Sequence, residues 1–596
     1  MTVFSTGCRC LAVVGVLMVV LTPTAAATPV DRTETDRSVS ADKSFAVYIG
    51  RNLTANGHPF LAGFGHEPSS HWFDIVARRQ HPPGSTIEVG ATEKADIPGE
   101  LSRIPQVEQT ARYLTSNYSE FKGFPSPLTN GGLNEYGVSA RDVWSNSRPE
   151  LVRDTPTPQH GPNYSDLSRI VMERAHTARE AVQIVGDLIN RYGYTTYGGN
   201  SHLFADADEG WILIEMAGGK GLWAAQRLGP DEVRVSYPGY LGDFPTTPDA
   251  DHLSSPNLIS YGIERGWWNP AQGTPFNVQA VYGTPFPGKP VAVGAAADPA
   301  DPSPYRHPPS LEAEFRRLAP VTLRDVQRIV RDPRWSDDRS GYGQVAELND
   351  RLSDPELATL WVAVTAAVTA PYIPFHIGTQ SVPPEYRQHR YLTHDAASTY
   401  LNPEFAEQEA TEFATQTYKR LLYATCSRKQ RYLGQVTKAW EGFEAVELAQ
   451  LGDVEQRAAR FYAGGDRVAA QQVLAEASTR WAEDGLALGD HLLADVLARD
   501  KADGGIHQPD PAQGQDMSLH TTAPARDRVN CDRGGGWADG GTLARKGHYG
   551  DPADVPDYRA GAIAPANQWW RYVLVGFGGA LVGAAALWSI KLRRRT

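Results

Sequence analysis

The sequence predicts an α+β fold, in which the strands and helices of one large domain are followed by a helical region. Phe45–Ile49 and Trp211–Ala217 are short apolar runs bordered by glycine, as buried strands often are, and Leu203–Asp206 precedes the second run. Apolar residues recur with helical spacing over Asp166–Ala175 and again over Ala178–Tyr192. Strand and helix patterns therefore alternate within the same stretch of chain.

The helices carry start signals of their own, and the longest helical region comes last. Thr177 stands directly before the second helix and Glu180 follows three residues later, which is the spacing of a capping box. From Glu404 to Ala502 the chain is rich in alanine, leucine, glutamate, arginine and glutamine, which favour helix. We expect residues 44–400 to form the α+β domain and residues 401–502 to form a helical C-terminal region of the same unit.

The composition is that of a globular protein with an acidic surface. The chain has 596 residues, 41% hydrophobic residues and a formal net charge of −12. This balance offers no basic footprint for phosphate and argues against nucleic-acid binding. Of the four cysteines, only Cys426 and Cys531 would remain after removal of an N-terminal leader, and their spacing leaves open whether they form a disulfide.

The N-terminus has the pattern of a secretory signal peptide. Arg9 precedes an apolar run from Leu11 to Leu21, and small residues follow as far as Ala27. This order of charge, short apolar core and small residues predicts that residues 1–27 are a signal peptide that is cleaved after Ala27.

The C-terminus has the pattern of a membrane anchor. Residues 572–590 are apolar without interruption, which is about the length needed to cross roughly 30 Å of hydrocarbon. Residues 591–596 form a basic tail, and such tails stay on the cytoplasmic side. Residues 503–565 are rich in glycine, proline and aspartate and are expected to form a disordered linker. We therefore expect an exported, single-pass protein of the cell membrane, with most of the chain outside and the C-terminus in the cytoplasm.

Generic catalytic motifs give no metal or cofactor site. His66 and His71 flank Glu67 in a way that is similar to a zinc-protease signature, but they stand five residues apart with Pro68 between them. Histidines that bind zinc from one face of a helix are four residues apart, and proline interrupts a helix. The chain has neither a phosphate-binding loop nor the glycine-flanked serine of an α/β-hydrolase. No cofactor is expected.

Four segments follow one another in a recognisable order and spacing, namely Ser44–Gly57, Thr129–Val138, Arg174–Val182 and Gly199–Trp211. Together they resemble the dipeptidase A and secernin family of N-terminal-nucleophile hydrolases, and a weaker similarity extends the match over most of residues 44–450. In that family, a cysteine opens the first segment. The resemblance implies a four-layer αββα fold, in which two sheets lie between helices.

The resemblance also implies the chemistry of the site. In this family the first residue of the mature chain supplies the nucleophile, and its α-amine, with a pKa of ~8, acts as the base. Ser44 stands at the nucleophile position, and no cysteine lies between Cys10 and Cys426 to take its place. Because a thiol is the better nucleophile near neutral pH, the sequence leaves open both a working serine variant and a domain that has lost catalysis.

Supporting residues follow from the same resemblance. Asn134 falls where related hydrolases place an amide of the oxyanion hole, and Asn200 falls near either the oxyanion or the substrate. Ser201 and Glu67 are expected to bind the substrate or the amine of the nucleophile. Related hydrolases also carry an arginine near the position that Gly63 occupies here, so the arginine of the family's site is missing.

Processing decides whether this chemistry is available. Ser44 can use its own amine only after the bond that follows Lys43 has been cut. Removal of the signal peptide would leave residues 28–43 as a possible propeptide. The resemblance implies that this cleavage is often autocatalytic and uses the same nucleophile, whereas the basic residue Lys43 also permits cleavage by a separate trypsin-like protease.

The sequence thus predicts a membrane-anchored, extracytoplasmic dipeptidase that hydrolyses short peptides with an N-terminal nucleophile. Two alternatives stay open. One is a catalytically silent member of the family that binds peptides or cell-wall fragments, and the other is an N-acyl amide hydrolase. The expected partners are a short peptide and, through residues 572–590, the membrane. The sequence does not specify an oligomeric state.

Overall fold

A computed structural model describes residues 44–65, 71–118, 124–125, 127–247, 249–284, 308–336, 340–387, 414–425 and 429–502. The predicted signal peptide (1–27), propeptide (28–43), linker (503–565), membrane span (572–590) and basic tail (591–596) lie outside these residues and stay predictions. Glu67, Cys426 and Cys531 lie outside them as well. Within the described part of the chain, no helix combines the length and the apolar character needed to cross a bilayer.

The elements of the described residues alternate between strands and helices up to residue 387 and are helical after it. The strands are β1 (Phe45–Ile49), β2 (Phe60–Phe64), β3 (His71–Val76), β4 (Arg79–Gln80), β5 (Thr86–Val89), β6 (Ser102–Pro105), β7 (Gln109–Thr110), β8 (Tyr113–Tyr118), β9 (Leu128–Asn134), β10 (Ser139–Trp144), β11 (Asn200–Ala205), β12 (Gly210–Glu215), β13 (Trp223–Leu228), β14 (Val233–Ser236), β15 (Asp243–Phe244), β16 (His252–Ser254), β17 (Phe276–Asn277), β18 (Gly343–Glu347), β19 (Thr359–Ala363) and β20 (Ile373–His376). The helices are α1 (Pro149–Arg153), α2 (Tyr164–Arg174), α3 (Ala178–Tyr192), α4 (Leu258–Glu264), α5 (Val278–Tyr282), α6 (Pro308–Arg316), α7 (Leu323–Val330), α8 (Pro384–Arg387), α9 (Ala414–Thr425), α10 (Lys429–Ala463) and α11 (Arg467–Ala502).

Two antiparallel sheets form the centre of the domain. The first has six strands in the order β14-β1-β2-β18-β19-β20, and the second has eight in the order β16-β13-β12-β11-β10-β9-β8-β3. The sheets pack face to face, with β1 and β2 of the first against β10 and β11 of the second. The α+β prediction is confirmed.

Strand β1 is buried on both faces, which explains its continuous apolar sequence. On one face, the ring of Phe45 stacks on Trp335, with the ring centres 4.9 Å apart. On the other face, the ring of Tyr48 lies so close to Gly210 of β12 that a Cβ atom on this glycine would fall 2.7 Å from it. The strand therefore separates a helix-facing side from a side that meets the eight-stranded sheet.

Helices cover the outer face of each sheet. Helices α2 and α3 pack on β9 to β12, where a core cluster joins Ile170, Val182 and Val185 to Phe204 and Trp211. Helices α6, α7 and α11 pack on the six-stranded sheet through β14, β2, β18 and β20. The layers therefore follow the order helix, sheet, sheet, helix.

Local signals placed several of these elements correctly. Strand β1 and helix α3 begin and end where the sequence predicts them. The Thr177 hydroxyl accepts a hydrogen bond from the Glu180 N–H over 3.1 Å and so caps α3. The other half of the predicted capping box differs, because the Glu180 carboxylate accepts the N–H of His176 rather than that of Thr177.

The helical C-terminal region consists of α9, α10 and α11 in the described residues. The indole of Trp440 on α10 donates to the Thr369 carbonyl over 2.9 Å, and Ser478 on α11 donates to the Pro374 carbonyl over the same distance. Arg331, just after α7, forms a buried ion pair with Glu444 on α10, with an Nη1 to Oε2 distance of 2.8 Å. These polar contacts join the region to the six-stranded sheet.

Candidate active site

Ser44 stands at the head of β1 and is 6% exposed. Side chains alternate along a strand, so the side chains of Ser44 and Ala46 point the same way as that of Tyr48. Because Tyr48 packs on Gly210, this direction is toward the eight-stranded sheet. The structure therefore places the predicted nucleophile in the interface between the two sheets, at one end of it.

The neighbours of Ser44 across the sheet follow from strand register. Phe45 pairs with Phe64 in β2, and Gly63 pairs with Gln344 in β18. Continued to the strand ends, these registers place Gly65 beside Ser44 and Tyr342 beside Gly65, and the Gly341 N–H donates to the Gly65 carbonyl over 2.9 Å. Two strand spacings separate the backbones of Ser44 and Tyr342 by about 10 Å.

Glycine occupies the positions of β2 and its end that lie between these two residues. Gly63 and Gly65 are on the same side of the sheet as Ser44, and neither carries a side chain. A Cβ atom on Gly63 would lie 2.0 Å from the Phe45 carbonyl oxygen, which no real side chain tolerates. The arginine that related hydrolases carry near this position therefore has no room here.

An arginine reaches the same interface from the opposite sheet. Arg141 on β10 is fully buried, and its strand neighbour Val143 lies in the core between the sheets. The Nη1 of Arg141 donates to the Tyr342 hydroxyl, and the guanidinium carbon lies 5.0 Å from the centre of that ring. Among the described residues, nothing accepts a hydrogen bond from its Nε or Nη2.

A chain of hydrogen bonds holds Tyr342 in place. Its hydroxyl donates to Oδ1 of Asn130 over 2.8 Å, and Nδ2 of Asn130 donates to the Asp142 carboxylate. The second oxygen of Asp142 accepts from Nδ2 of Asn200 over 3.1 Å. Since a carboxylate only accepts, both amides are fixed in orientation, and the Tyr342 lone pairs are left to face Arg141.

Of the predicted site residues in strand β11, the structure brings Ser201 toward Ser44 and turns Asn200 away. Ser201 donates to the Val143 carbonyl over 2.8 Å, and a Cβ atom on Gly239 would lie 2.1 Å from its hydroxyl oxygen. Gly239 follows the residue that the β1–β14 register sets beside Ser44. Asn200 has the opposite orientation, toward helix α2, and takes part in the site through Asp142.

Asn134 lies at the far end of the β9–β10 hairpin, and its amide is fully used there. Nδ2 donates to the carbonyls of Met172 and Ala175, and Oδ1 accepts the N–H groups of Tyr136 and Val138, all within 3.3 Å. The oxyanion role predicted for Asn134 would require these donor bonds to break. In this structure the residue fastens the hairpin to the end of α2.

Arg141 and Tyr342 were not predicted as site residues. One signal was present in the sequence. Arg141 and Asp142 are the two charged residues of the stretch from Val138 to Trp144, whose other residues are apolar or small, and arginine is almost never fully buried without a partner. Tyr342 carried no such signal. Its place two strands from Ser44 depends on the pairing of β2 with β18, which are far apart in the chain.

A second hydrogen-bonded series lies on the outer face of the eight-stranded sheet. Nε2 of His202 is 2.9 Å from the Ser168 hydroxyl, and Nδ1 bonds to the Glu215 carboxylate. Burial opposes the charged imidazole, but the Glu215 carboxylate outweighs it and raises the pKa of His202 above its ordinary value. All three side chains are fully buried, so the series ties α2 to β11 and β12 and does not meet a substrate.

No group of three or more metal-binding side chains occurs in the described part of the chain. A cavity of about 390 Å³ lies between α8 and α11, and Ser44 is not among its lining residues. The side chains that the described residues bring to the Ser44 end of the sheet interface include the Tyr342 hydroxyl and the Arg141 guanidinium.

Comparisons with known proteins agree with a peptidase. Residues 128–288 match the model of Peptidase family C69. A probable dipeptidase of Salmonella dublin is 28% identical over 172 residues, which are 28% of this chain and 38% of the relative. Probable dipeptidase B of Lactococcus lactis subsp. lactis (strain IL1403) is 26% identical over 243 residues, 40% of this chain and 48% of the relative. The matched family and these names support a peptide hydrolase.

The similarity has defined limits. The chain spans less than half of the length of these two relatives. The matched family segment contains Asn134, Arg141, Asn200 and Ser201, whereas Ser44 lies before it. Among solved structures, a mutant of conjugated bile acid hydrolase from Clostridium perfringens aligns with a TM-score of 0.26 and 8% identity, over 57% of this chain and 93% of that one.

Proposed function

We propose that the protein is an exported, membrane-anchored dipeptidase that hydrolyses short peptides with Ser44 as an N-terminal nucleophile. The observation that carries this proposal is the position of Ser44, which heads a buried central strand and points into the interface between two sheets, beside glycine positions of the neighbouring strand. The helix, sheet, sheet, helix order of layers is the one that the resemblance to N-terminal-nucleophile hydrolases implies. The similarity of residues 128–288 to a peptidase family supports the same class of reaction.

The proposed mechanism begins with cleavage after Lys43, which frees the α-amine of Ser44. This amine takes the proton from the Ser44 hydroxyl as Oγ attacks the carbonyl carbon of the substrate amide. The C–N bond then breaks, the proton passes to the leaving amine, and the acyl group stays on Ser44 as an ester. Water attacks this ester with the same amine as base and releases the second product and the free serine.

The cellular location is part of the proposal and is supported by the sequence at both ends. Residues 1–27 have the order of a signal peptide, and residues 572–590 with the basic tail 591–596 have that of a single-pass anchor. A linker over residues 503–565 would hold the domain off the membrane. The substrates would then be peptides outside the cytoplasm.

The test is to determine the first residue of the mature protein by intact mass and then to measure hydrolysis of a panel of dipeptides. We expect a chain that begins at Ser44 and hydrolyses dipeptides. Ser44→Ala should lower kcat/KM on the order of 10³-fold or more, as loss of a nucleophile does in serine hydrolases. Ser260→Ala is the matched control, because this hydroxyl is exposed on α4 and bonds only to the neighbouring Asn257 carbonyl.

A catalytically silent peptide-binding protein is the second candidate. The observation that favours it is the hydroxyl at a position where the resembled family carries a thiol. It predicts a mature chain that begins at Thr28, which keeps the amine sixteen residues from Ser44. A chain of that length without dipeptide hydrolysis would refute the dipeptidase and favour this candidate.

A further inference from the structure

Arg141 is a buried cation whose hydrogen bonds are incomplete. The side chain is fully buried, yet two of its three nitrogens have no acceptor among the described residues. Two other buried polar atoms that face the same interface also lack a partner, the hydroxyl of Ser236 and Oε1 of Gln344. A buried guanidinium without a counter-charge costs folding free energy, so its presence calls for an explanation outside stability.

The free nitrogens have the geometry of a carboxylate site. Nε and Nη2 lie along one edge of the planar guanidinium and donate in parallel, which matches the two oxygens of a carboxylate. The third nitrogen, Nη1, is held by the Tyr342 hydroxyl, and the Tyr342 ring lies against the guanidinium. The donor pair is therefore fixed before any ligand arrives, and ordering it on binding costs little.

The nearest carboxylate in this network does not serve as the missing partner. Asp142 follows Arg141 in β10, but its two oxygens accept from Asn130 and Asn200. Arg141 is linked to it through the Tyr342 hydroxyl and the Asn130 amide. Within the described part of the chain, no carboxylate pairs with Nε and Nη2, which leaves both donors available to a ligand.

We propose that Arg141 binds the α-carboxylate of the peptide substrate, one residue beyond the scissile bond. This inference rests on the proposed function of Ser44. By strand spacing the backbones of Ser44 and Tyr342 lie about 10 Å apart. Both side chains point toward the eight-stranded sheet, where the Tyr342 hydroxyl meets the Arg141 guanidinium. One peptide residue spans at most about 3.6 Å, so a carboxylate held at Arg141 leaves room for few residues beyond the bond under attack. The site would thereby select short peptides with a free C-terminus.

The first test concerns stability without ligand. Arg141→Met keeps the length and apolar stem of the side chain and removes the unpaired charge, so we expect the melting temperature of the full-length protein to stay level or rise. Arg331→Met is the matched control, since Arg331 is equally buried but paired with Glu444, and its loss should lower the melting temperature. A fall in both variants would overturn the inference and give Arg141 a structural role.

The second test measures binding without turnover. The probe is the analogue of Ala-Ala in which CH2–NH replaces the scissile amide, compared with its C-terminal amide by titration calorimetry. We expect the acid to bind wild-type protein about tenfold to a hundredfold more tightly, the usual contribution of a bidentate charged pair, and this ratio to approach one in Arg141→Met. A third analogue has a glutamate residue with an amidated C-terminus, so its only carboxylate is on the side chain. It distinguishes recognition of the α-carboxylate from recognition of a side-chain carboxylate.

Each outcome decides the inference. Three results would overturn it. They are an acid-to-amide affinity ratio near one in the wild-type protein, an unchanged ratio in Arg141→Met, and equal binding of the glutamate amide and the free acid. Failure of the proposed function looks different. If the protein hydrolyses no dipeptide but still binds the acid more tightly through Arg141, the carboxylate site stands and the proposed dipeptidase function fails. If it hydrolyses dipeptides without that preference, the dipeptidase function stands and the carboxylate site fails.

Discussion

At the scale of single residues, the proposed mechanism depends on the atom that position 44 supplies as the nucleophile. Oxygen and sulfur would occupy the same buried place at the head of β1, but a thiol is partly ionised near neutral pH and is the stronger nucleophile. We therefore expect Ser44→Cys to hydrolyse dipeptides with a higher kcat/KM than the wild type and to be inactivated by iodoacetamide, which should leave the wild type active. A cysteine variant slower than the wild type would show that the site is shaped for a hydroxyl.

The histidines give a second prediction at this scale. The Glu215 carboxylate raises the pKa of His202 above its ordinary 6.5, whereas burial and the Arg351 guanidinium lower the pKa of His58. An NMR titration of the imidazole nitrogens should place the two residues on opposite sides of that value. In Glu215→Gln the pKa of His202 should fall, while the pKa of His58 should stay unchanged. A shift of both, or of neither, would contradict the assigned cause.

The site residues that the sequence could predict are those that lie in short, ordered motifs. Ser44, Asn200 and Ser201 were named because each belongs to a segment with a recognisable pattern, and their roles stay predictions. Arg141 and Tyr342 come together only through strand pairing and the facing of two sheets, which no local pattern encodes. The sequence could show that Gly63 cannot supply an arginine, but not that β10 would bring one to the same interface.

At the scale of elements, the accuracy of prediction follows the strength of local signals. Helix α3 has a capping residue and a clear apolar face, and its limits were predicted correctly. The strand predicted at Leu203–Asp206 begins earlier, at Asn200, because buried polar residues such as Asn200 and His202 find partners in neighbouring elements. Because these residues are polar, the sequence pattern does not indicate the first half of β11, which is stabilised by pairing with β10 and β12.

The contact between α10 and the region of α7 offers a prediction with an internal control. Arg331 and Glu444 form a bidentate ion pair with side chains 3% and 4% exposed, and Glu444 also accepts the Tyr372 N–H. Glu444→Ala would leave the guanidinium buried and unpaired, and should lower the free energy of unfolding by about 3–5 kcal/mol. The measurement is urea denaturation of the full-length protein.

The control for that measurement joins the same two regions at the surface. Arg328 on α7 pairs with Glu441 on α10 over 2.9 Å, with side chains 50% and 29% exposed. Because solvent screens this pair, Glu441→Ala should cost no more than about 1 kcal/mol. Similar losses for the two variants would mean that the buried pair does not fasten the helical region to the domain.

At the scale of the whole molecule, the packing of two sheets between layers of helices buries several acidic and basic groups. Together these groups make the free energy of unfolding depend on pH. Burial and the nearby Glu455 carboxylate raise the pKa of Glu347 to about 7. Burial also raises the pKa of Glu312 and of Glu447, and Glu215 raises that of His202 against the effect of burial. All four groups hold a proton more tightly in the folded protein than in the unfolded chain.

The sign of the pH dependence follows from these directions. Where the folded protein keeps a proton that the unfolded chain has released, the free energy of unfolding falls as the pH rises. For Glu347 this interval runs from an unfolded pKa of 4.5 to a folded pKa of about 7, and for His202 it begins at 6.5.

Chemical denaturation between about pH 5 and pH 8 should therefore show the free energy of unfolding falling as the pH rises, and Glu347→Gln should remove at most about 3 kcal/mol of that fall. The glutamine side chain would keep the oxygen that accepts from Asn56, so the variant isolates the charge. A wild-type protein whose stability is level or rises over this range would show that these acids are ionised in the folded state and that the interior is better solvated than its packing indicates.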